Sequence, residues 1–143
     1  MYKFRFIKAE SEGSIIHLFG RRNNQKYHLV IFDFEPYFYT LYPEAFEGLK
    51  EVKRGEKEPY KTLFGETVYK VVVFHPGQVP KIRDIAPTFE ADVPYVHRFL
   101  IDKGITQYFY VTDRRFSDIP NVPLRVSHRF IQGDFFDKIK GII

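Results

Sequence analysis

The stretch "FDFEPYFYTLYP", residues 32–43, is the part of the sequence that decides the fold. Aromatic and apolar residues dominate it, and such residues favour a pleated strand surface. Pro36 interrupts the pattern, and because proline cannot donate to a strand ladder it is confined to edges, strand starts or bulges. Just before it, Asp33 and Glu35 lie two residues apart, so we predict that they share one strand face. The stretch therefore holds either a metal-binding carboxylate pair or a proline placed to shape another site.

The composition limits the class of protein. Its 143 residues fit a single domain, residues 1–143, with room for a core. Cysteine is absent, which excludes disulfides, thiolate zinc ligands and cysteine nucleophiles and fits a reducing cytoplasm. No apolar run is long enough for a membrane, and the charged N-terminus "MYKFRFIKAE" is unlike a signal peptide. The net charge of +4 is compatible with nucleic-acid binding without being diagnostic of it.

Period-two alternation predicts strands along most of the chain. We predict strands over residues 2–7, 14–20, 26–34, 36–42, 60–65, 67–74, 106–112 and 123–131, with 87–94 extended. Residues 36–42 are predicted to continue the third strand after the proline, and Gly65 to lie in a turn. This pattern favours antiparallel pairing between neighbouring strands.

Helical signals occur in four shorter segments, residues 43–55, 75–86, 94–104 and 133–143. Pro43 and Pro94 are placed where a first helical turn accepts proline, and Gly104 is placed as a stop. The order of elements predicts an α+β fold, mainly antiparallel sheet with two or three packed helices.

The sequence holds little that points to catalysis. Asp33 and Glu35, following the apolar run "LVIF", mimic the first carboxylate pair of a two-metal exonuclease, but such a site needs further carboxylates. The remaining candidates lie in a polar loop or flank a terminal aromatic pair: Asp113, Asp118, Asp134 and Asp137. The five histidines lack metal-ligand spacing, and no nucleophile or phosphate-loop motif is present. We therefore favour a solvated strand face for the pair and assign no catalytic residue, metal or cofactor.

Three proline corners recur, at residues 35–38, 77–83 and 91–99. Proline fixes the backbone and leaves nearby polar groups in preset directions. Arg83 and Arg98 fall in the helices that follow two of the corners, where a guanidinium can bind phosphate. Together the corners could form a narrow pocket for a flat, uncharged ring attached to a phosphate chain. The alternative is that they are ordinary turns beside core aromatics.

The segments "FEPYFYTL" and "HPGQVPKIRD…ADVPYVHRFLIDKGI" strongly resemble the N-terminal domain of archaeal family-B DNA polymerases, and "RFIKAESEGSIIHLF" is similar to its opening strands. The resemblance covers residues 1–105, whereas 106–143 diverge and lack the exonuclease carboxylates and the palm motifs. We therefore expect a self-contained module and not a polymerase. In that family this domain captures uracil, and also hypoxanthine, in the template strand.

Carried over by position, the resemblance implies a base pocket and a phosphate contact. The pocket has Phe6 at its mouth, Pro36 and Tyr37 as one wall, Val79 backed by Pro80 as the other, Val93 and Pro94 at the base edge, and Tyr95 where Phe is usual. Arg98 is expected to hold the phosphate beside the flipped base. The chain between residues 84 and 91 is shorter than in the family, which predicts a truncated helix after Pro80. On this interpretation Pro36 makes a stiff wall and the carboxylate pair is a coincidence.

Three functions compete at this point. The first is a non-enzymatic protein that binds single-stranded DNA containing uracil or hypoxanthine, with replication or repair proteins as further candidate partners and no membrane. The second is a non-catalytic polymerase-associated subunit or docking module with a vestigial pocket. The third is a nuclease that uses Asp33 and Glu35. Retention of all three proline corners and Arg98 favours the first.

Overall fold

The computed structural model of the protein describes residues 1–135. Its strands are β1 (Tyr2–Glu12), β2 (Ile15–Arg22), β3 (Gln25–Ile31), β4 (Tyr37–Thr40), β5 (Val52–Lys61), β6 (Thr67–Val73), β7 (Thr88–Phe89), β8 (Tyr108–Val111), β9 (Pro123–Val126) and β10 (Ile131–Gly133). The α-helices within this range are α1 (Val79–Ile82) and α2 (Tyr95–Lys103). Short 3-10 turns occupy Pro43–Ala45, Pro76–Gln78 and His128–Phe130. The predicted α+β fold class, mainly antiparallel sheet, is confirmed.

The backbone contacts divide the chain into two compact units. Unit 1 comprises Met1–Phe34 and the chain from Tyr95, and unit 2 comprises Glu35–Pro94. Unit 1 holds a six-stranded sheet in the order β10-β8-β1-β2-β3-β9, and unit 2 a four-stranded sheet in the order β5-β6-β4-β7. Neighbouring strands are antiparallel except β3 and β9, which are parallel. The prediction of a single domain stays a prediction.

The division after Phe34 corrects one predicted strand. Residues 36–42 were expected to continue the third strand, but β3 ends at Ile31 and β4 pairs with β6 in the other sheet. Pro36 lies between them, and it has no N–H with which to extend a ladder. The proline therefore marks the point at which the chain leaves one sheet and enters the other.

The core of unit 1 lies against one face of its sheet. Along β2 the buried residues Ile16 and Leu18 alternate with half-buried ones, as expected for a strand with one covered face. Helix α2 covers this face with Phe99, which is fully buried. Gly104, at φ +66°, ends the helix in a left-handed conformation that glycine adopts without strain. The predicted helix over 94–104 is confirmed.

A bulge in β1 changes which residues face the core. Phe4 and Phe6 pack on the core side, and the register with β2 shifts between Phe6 and Lys8. Without the shift Lys8 would follow Phe6 onto the core side, because side chains alternate with a period of two. With it, Ala9 packs on the core and Lys8 lies opposite Phe19 on the other face.

The core of unit 2 corrects a predicted helix. Residues 43–55 form only the 3-10 turn Pro43–Ala45, after which Gly48 takes φ +77° and β5 begins at Val52. Pairing of β5 with β6 outweighs the local helical signals of this segment. The core itself contains Phe38, Phe46, Val71, Val73 and Ile82.

Of the other predicted elements of unit 2, the strand over 67–74 is confirmed as β6, whereas the strand over 60–65 is wrong beyond Lys61, where β5 ends. The turn at Gly65 is confirmed, with φ +80°, between β5 and β6. The helix predicted within 75–86 is confirmed as the short α1. Of the segment 87–94, only Thr88–Phe89 pairs as a strand, and it joins β4.

The end of the chain is described only in part. The strand predicted over 123–131 is divided into β9, the turn His128–Phe130 and β10. From residue 136 onward, the predicted helix over 133–143 lies outside the described residues, as does Asp137. No helix in the described part of the chain combines the length and the apolar character needed to cross a bilayer.

Candidate functional site

Asp33 anchors two chain segments of unit 1. Its carboxylate accepts the backbone N–H of His128 at 2.8 Å and a short hydrogen bond from the Ser127 hydroxyl. These bonds tie the chain that leaves β3 to the chain that leaves β9. The carboxylate therefore has a structural role in holding the edge of the six-stranded sheet.

Glu35 is the first residue of unit 2 and is held by two cations. Its carboxylate is paired bidentately with Arg54, at 2.5 and 2.9 Å, and with Lys53 at 2.7 Å. The hydrogen bonds from Arg54 are the main cause that lowers the pKa of Glu35 to about 2, against the effect of burial. Asp33 and Glu35 thus belong to different units and each has its own partners. Within residues 1–135, no group of three or more His, Asp or Glu side chains could hold a metal ion.

Two of the predicted wall residues lie near one end of the unit 2 sheet. Pro36 is buried directly before β4, and its carbonyl accepts the N–H of Val73, the last residue of β6, at 3.0 Å. Val79 is half-buried at the start of α1 and packs against the cluster that contains Val73. The turn Pro76–Gln78, between β6 and α1, is fixed by its first residue, a proline, and by its cap, in which the His75 ring accepts the Gly77 N–H at 3.0 Å. The structure therefore brings Pro36 and Val79 to the same end of β6.

The side chain of Tyr37 points to the other face of the same sheet. Phe38 faces the unit 2 core, so its neighbours Tyr37 and Tyr39 face away from it. The two tyrosine rings meet edge to face with centroids 5.4 Å apart, and the Lys70 ammonium lies 4.1 Å from the Tyr37 centroid. Tyr37 can accordingly offer its backbone beside Pro36, but its ring lies on the face opposite the Val79 cluster.

Three predicted site residues lie in unit 1, namely Phe6 and Tyr95, described here, and Arg98, described below. The half-buried Phe6 packs on the unit 1 core, and its N–H donates to the Gln107 carbonyl at 2.8 Å. The Tyr95 hydroxyl is placed within hydrogen-bond distance of two carbonyl oxygens, 2.8 Å from Ser14 and 2.6 Å from Phe34. These contacts fix both side chains in the fold of the unit.

The two predicted phosphate ligands differ in exposure. Arg98 is only 6% exposed and lies 3.8 Å from the carboxylate of Asp102, one helical turn further on. Arg83 is half-buried at the end of α1, and among the described residues no ion pair involves its side chain. Arg83 is therefore the more accessible of the two guanidinium groups.

The remaining predicted positions, Pro80, Val93 and Pro94, all belong to unit 2. Pro80 and Pro94 are exposed, and Val93 is half-buried. Ala91, just before them, packs against the same cluster as Val79. The roles predicted for these three residues stay predictions.

Sequence reasoning missed an aromatic cavity on the Tyr37 side of the unit 2 sheet. A cavity of about 280 Å³ is lined by Tyr39, Tyr60, Thr62, Val68, Phe89 and Glu90. Burial raises the pKa of Tyr60, and a hydrogen bond with Tyr39 acts in the same direction. The alternation Tyr37, Phe38, Tyr39 was the available signal, because it places two tyrosines on the face opposite the core.

The chain is homologous to archaeal DNA polymerases, which confirms the predicted relationship. It is 33% identical to a DNA polymerase of Thermococcus sp. (strain 9oN-7) in an alignment of 120 residues that covers 68% of this chain and 15% of that protein. It is 34% identical over 120 residues to a DNA polymerase of Thermococcus kodakarensis, covering 68% of this chain and 7% of that protein. A DNA polymerase of Archaeoglobus fulgidus is 38% identical over 89 residues, covering 52% of this chain and 11% of that protein.

These matches bear on one part of much larger proteins. The chain spans 15% or less of the length of these curated relatives. The match is consistent with the N-terminal domain of family-B polymerases. No protein-family model matches the chain.

Proposed function

We propose that this protein binds single-stranded DNA and recognises deaminated bases, uracil and hypoxanthine, without catalysing a reaction. The observation that carries the proposal is the placement of two matched proline corners, those of Pro36 and Val79, at the same end of β6. Homology to archaeal DNA polymerases supports DNA as the ligand. The chain would then act where DNA is handled, in the cytoplasm, beside replication or repair proteins.

The chemistry of such recognition is modest. Uracil is thymine without the C5 methyl, so a rigid apolar floor at Val79 would reject thymine by overpacking, which costs about 1–3 kcal/mol per group. Cytosine would be rejected because its pairing edge leaves fixed backbone groups near Val93 and Pro94 unpaired. The base must leave its stack to be read, which costs least in a single strand. No covalent step is needed.

We assign the phosphate contact to Arg83 in preference to Arg98. The half-buried Arg83 can still reach a phosphate and release counterions, whereas Arg98, at 6% exposed, has little access to the strand. We call the slope of log K against the logarithm of the salt concentration the salt slope. Arg83→Gln should lower the magnitude of this salt slope by about 0.7, the value for one phosphate on a single strand. Uracil and thymine strands should lose affinity by the same factor, because a phosphate contact does not read the base.

Titrating single-stranded oligonucleotides that differ only by uracil or thymine tests the proposal. Tighter binding of the uracil strand is expected, and hypoxanthine should be favoured as well. Val79→Gln should remove the preference and leave background binding and its salt slope nearly unchanged. Val52→Gln is the matched control, because Val52 is also half-buried against the same cluster. Equal loss of preference in both variants would show that packing, and not a base site, is being measured.

A docking module is the second candidate, and specific observations favour it. Tyr95 and Arg98 have internal partners, and the ring of Tyr37 faces away from Val79. At the tip of the β5–β6 hairpin, Leu63 is fully exposed and Phe64 is 89% exposed, which is unusual for large apolar side chains. Equal affinity of the protein for uracil and thymine strands would select this function over base recognition.

A further inference from the structure

The face of the unit 1 sheet opposite its core is rich in cations and aromatic rings. We call it the basic face and define it by six cations, Lys3, Arg5, Lys8, Arg21, Lys26 and Arg125, and three rings, Phe19, Phe32 and Tyr108. Strand alternation places them there, because their neighbours Phe4, Leu18, Tyr27 and Phe109 point into the core. Helix α2 packs on the core side, so within unit 1 it does not cover the basic face.

The register of the sheet brings these side chains together across five strands. Arg5 lies opposite both Arg21 and Tyr108, and Arg21 lies opposite Lys26. The bulge in β1 adds Lys8 to this set by turning it away from the core and placing it opposite Phe19. The five strands from β8 to β9 span about 19 Å at the usual spacing of roughly 4.8 Å.

The charge of this face is strongly one-sided. All six cations are exposed. The acids among the described strand residues of this face, Glu10 and Glu12, lie at the far end of β1, where Glu10 pairs with Lys8 at 3.0 Å. Like charges directly opposite each other on neighbouring strands are destabilising. The pairs formed by Arg5, Arg21 and Lys26 therefore suit a polyanion that neutralises them.

The cations and rings are already in contact. The ammonium groups of Lys8 and Lys26 lie 5.1 and 5.2 Å from the Phe19 centroid. Lys3 lies 4.4 Å from the centroid of Tyr108. Arg125 lies 4.2 Å from the centroid of Phe32. Each ring of the face thus has at least one cation over it, so a phosphate that draws the cation aside would uncover the ring for a base to stack on.

We propose that the basic face is a second binding surface for single-stranded DNA, separate from the base site at Pro36 and Val79. Single-strand binding surfaces combine a positively charged track for the backbone with aromatic rings on which bases stack, and this face supplies both. A duplex keeps its bases paired and stacked, so it could use the cations but not the rings. The choice of DNA over RNA rests on the proposed function.

The test uses a thymine strand of roughly 12 nucleotides, a length within the range that such surfaces bind. Because this strand contains no uracil, its binding does not depend on base recognition. The double variant Lys8→Gln/Lys26→Gln should lower the salt slope of binding by about 1.4, or 0.7 for each phosphate that is no longer neutralised by a lysine. Its matched control is Lys50→Gln/Lys57→Gln, which removes two exposed lysines of unit 2. The control should keep the wild-type slope.

Phe19→Leu separates stacking from charge. It keeps an apolar side chain but removes the ring, so affinity should fall about five-fold or more while the salt slope stays unchanged. Melting temperatures of the variants check that each is folded, and the double lysine variant changes exposed residues only. The proposal is overturned if both lysine pairs lower the slope equally, if folded Phe19→Leu binds as the wild type does, or if a 5-methyluridine RNA strand of equal length, which carries the same thymine bases, binds more tightly.

Failure of the proposed function gives a different result. If the wild type does not distinguish uracil from thymine, base recognition is wrong, yet a slope change in Lys8→Gln/Lys26→Gln would still support the basic face. If uracil preference is present and the lysine pair has no effect on the slope, the basic face is wrong and base recognition stands.

Discussion

Replacing Asp134 with asparagine tests how the segment beside Phe6 is fixed. Asp134 is 5% exposed, and its carboxylate accepts hydrogen bonds from the Thr106 N–H at 3.0 Å and the Thr106 hydroxyl at 2.8 Å. It also accepts the Gln107 N–H at 3.3 Å, and the Gln107 carbonyl in turn accepts the N–H of Phe6. One buried carboxylate therefore anchors the loop between α2 and β8, on which the position of Phe6 depends.

The magnitude follows from the pKa of this carboxyl group. Burial alone would raise the pKa of Asp134, but hydrogen bonds from Thr106, Tyr108 and Gln107 lower it from 3.8 to about 2. Because the folded-state pKa is below the unfolded one, the ionised group stabilises the fold above pH 3.8, and this contribution is lost as the pH falls towards 2. The shift corresponds to about 2 kcal/mol at neutral pH. Asp134→Asn should therefore lower the melting temperature by roughly 4–10 °C.

Urea unfolding at several pH values is the assay. At neutral pH the free energy of unfolding should be about 2 kcal/mol smaller for Asp134→Asn than for the wild type. The difference should shrink as acid protonates the wild-type carboxylate. Asp84→Asn, at an exposed position, is the control and should change little. A difference that stays constant down to about pH 2, or no difference at neutral pH, would refute the reasoning.

Three further outcomes are expected. Glu35→Gln should lower the free energy of unfolding by about 1 kcal/mol and no more, because Glu35 is partly exposed and solvent screens its pairs with Arg54 and Lys53. Urea unfolding at several pH values should show this difference from the wild type disappearing between pH 4.5 and about 2. Arg98→Ala should lower the melting temperature and leave the salt slope of DNA binding unchanged, whereas a lower slope with an unchanged melting temperature would restore Arg98 as a phosphate ligand. Burial lowers the pKa of His28, so the folded state binds fewer protons than the unfolded state, and wild-type stability should fall as the pH drops below about 6.5. His28→Gln should weaken this pH dependence, which thermal melts at several pH values would detect.

The parts of the fold that the sequence predicted well depend on local signals. Strands β1 and β2 alternate apolar and polar residues, and Pro94 and Gly104 fix the two ends of α2. Each signal acts over a few residues and needs no distant partner. Gly65 is of the same kind, since the turn at φ +80° suits glycine in any context.

The errors lie where a distant partner decides. Residues 43–55 begin with proline and acids as a helix does, but pairing with β6 makes the last part of this segment, from Val52, a strand. Pro36 signals an interruption, but the change of sheet after Phe34 depends on the pairing of β4 with the distant strand β6.

The candidate site shows the same limit. The sequence placed Pro36 and Val79 in corners whose geometry proline fixes, and the structure brings both to one end of β6. Burial of Arg98 and the two carbonyl partners of the Tyr95 hydroxyl depend on packing within unit 1, which motif spacing does not encode. Motif spacing therefore predicts positions along the chain but does not predict what the side chains at those positions contact.

The bulge in β1 decides which side chains of this strand face the core and which face outward. Before it, Phe6 faces the core and is held through Gln107, and after it Lys8 faces outward beside Phe19. A strand without the shift would bury Lys8 among apolar side chains, where an unpaired charge is costly. The extra residue keeps Ala9 on the core side and adds a cation to the face that already carries Arg5 and Arg21. The charge pattern of β1 is therefore explained by a local irregularity of the ladder, and an outward-facing Lys8 is what a binding surface for a polyanion requires.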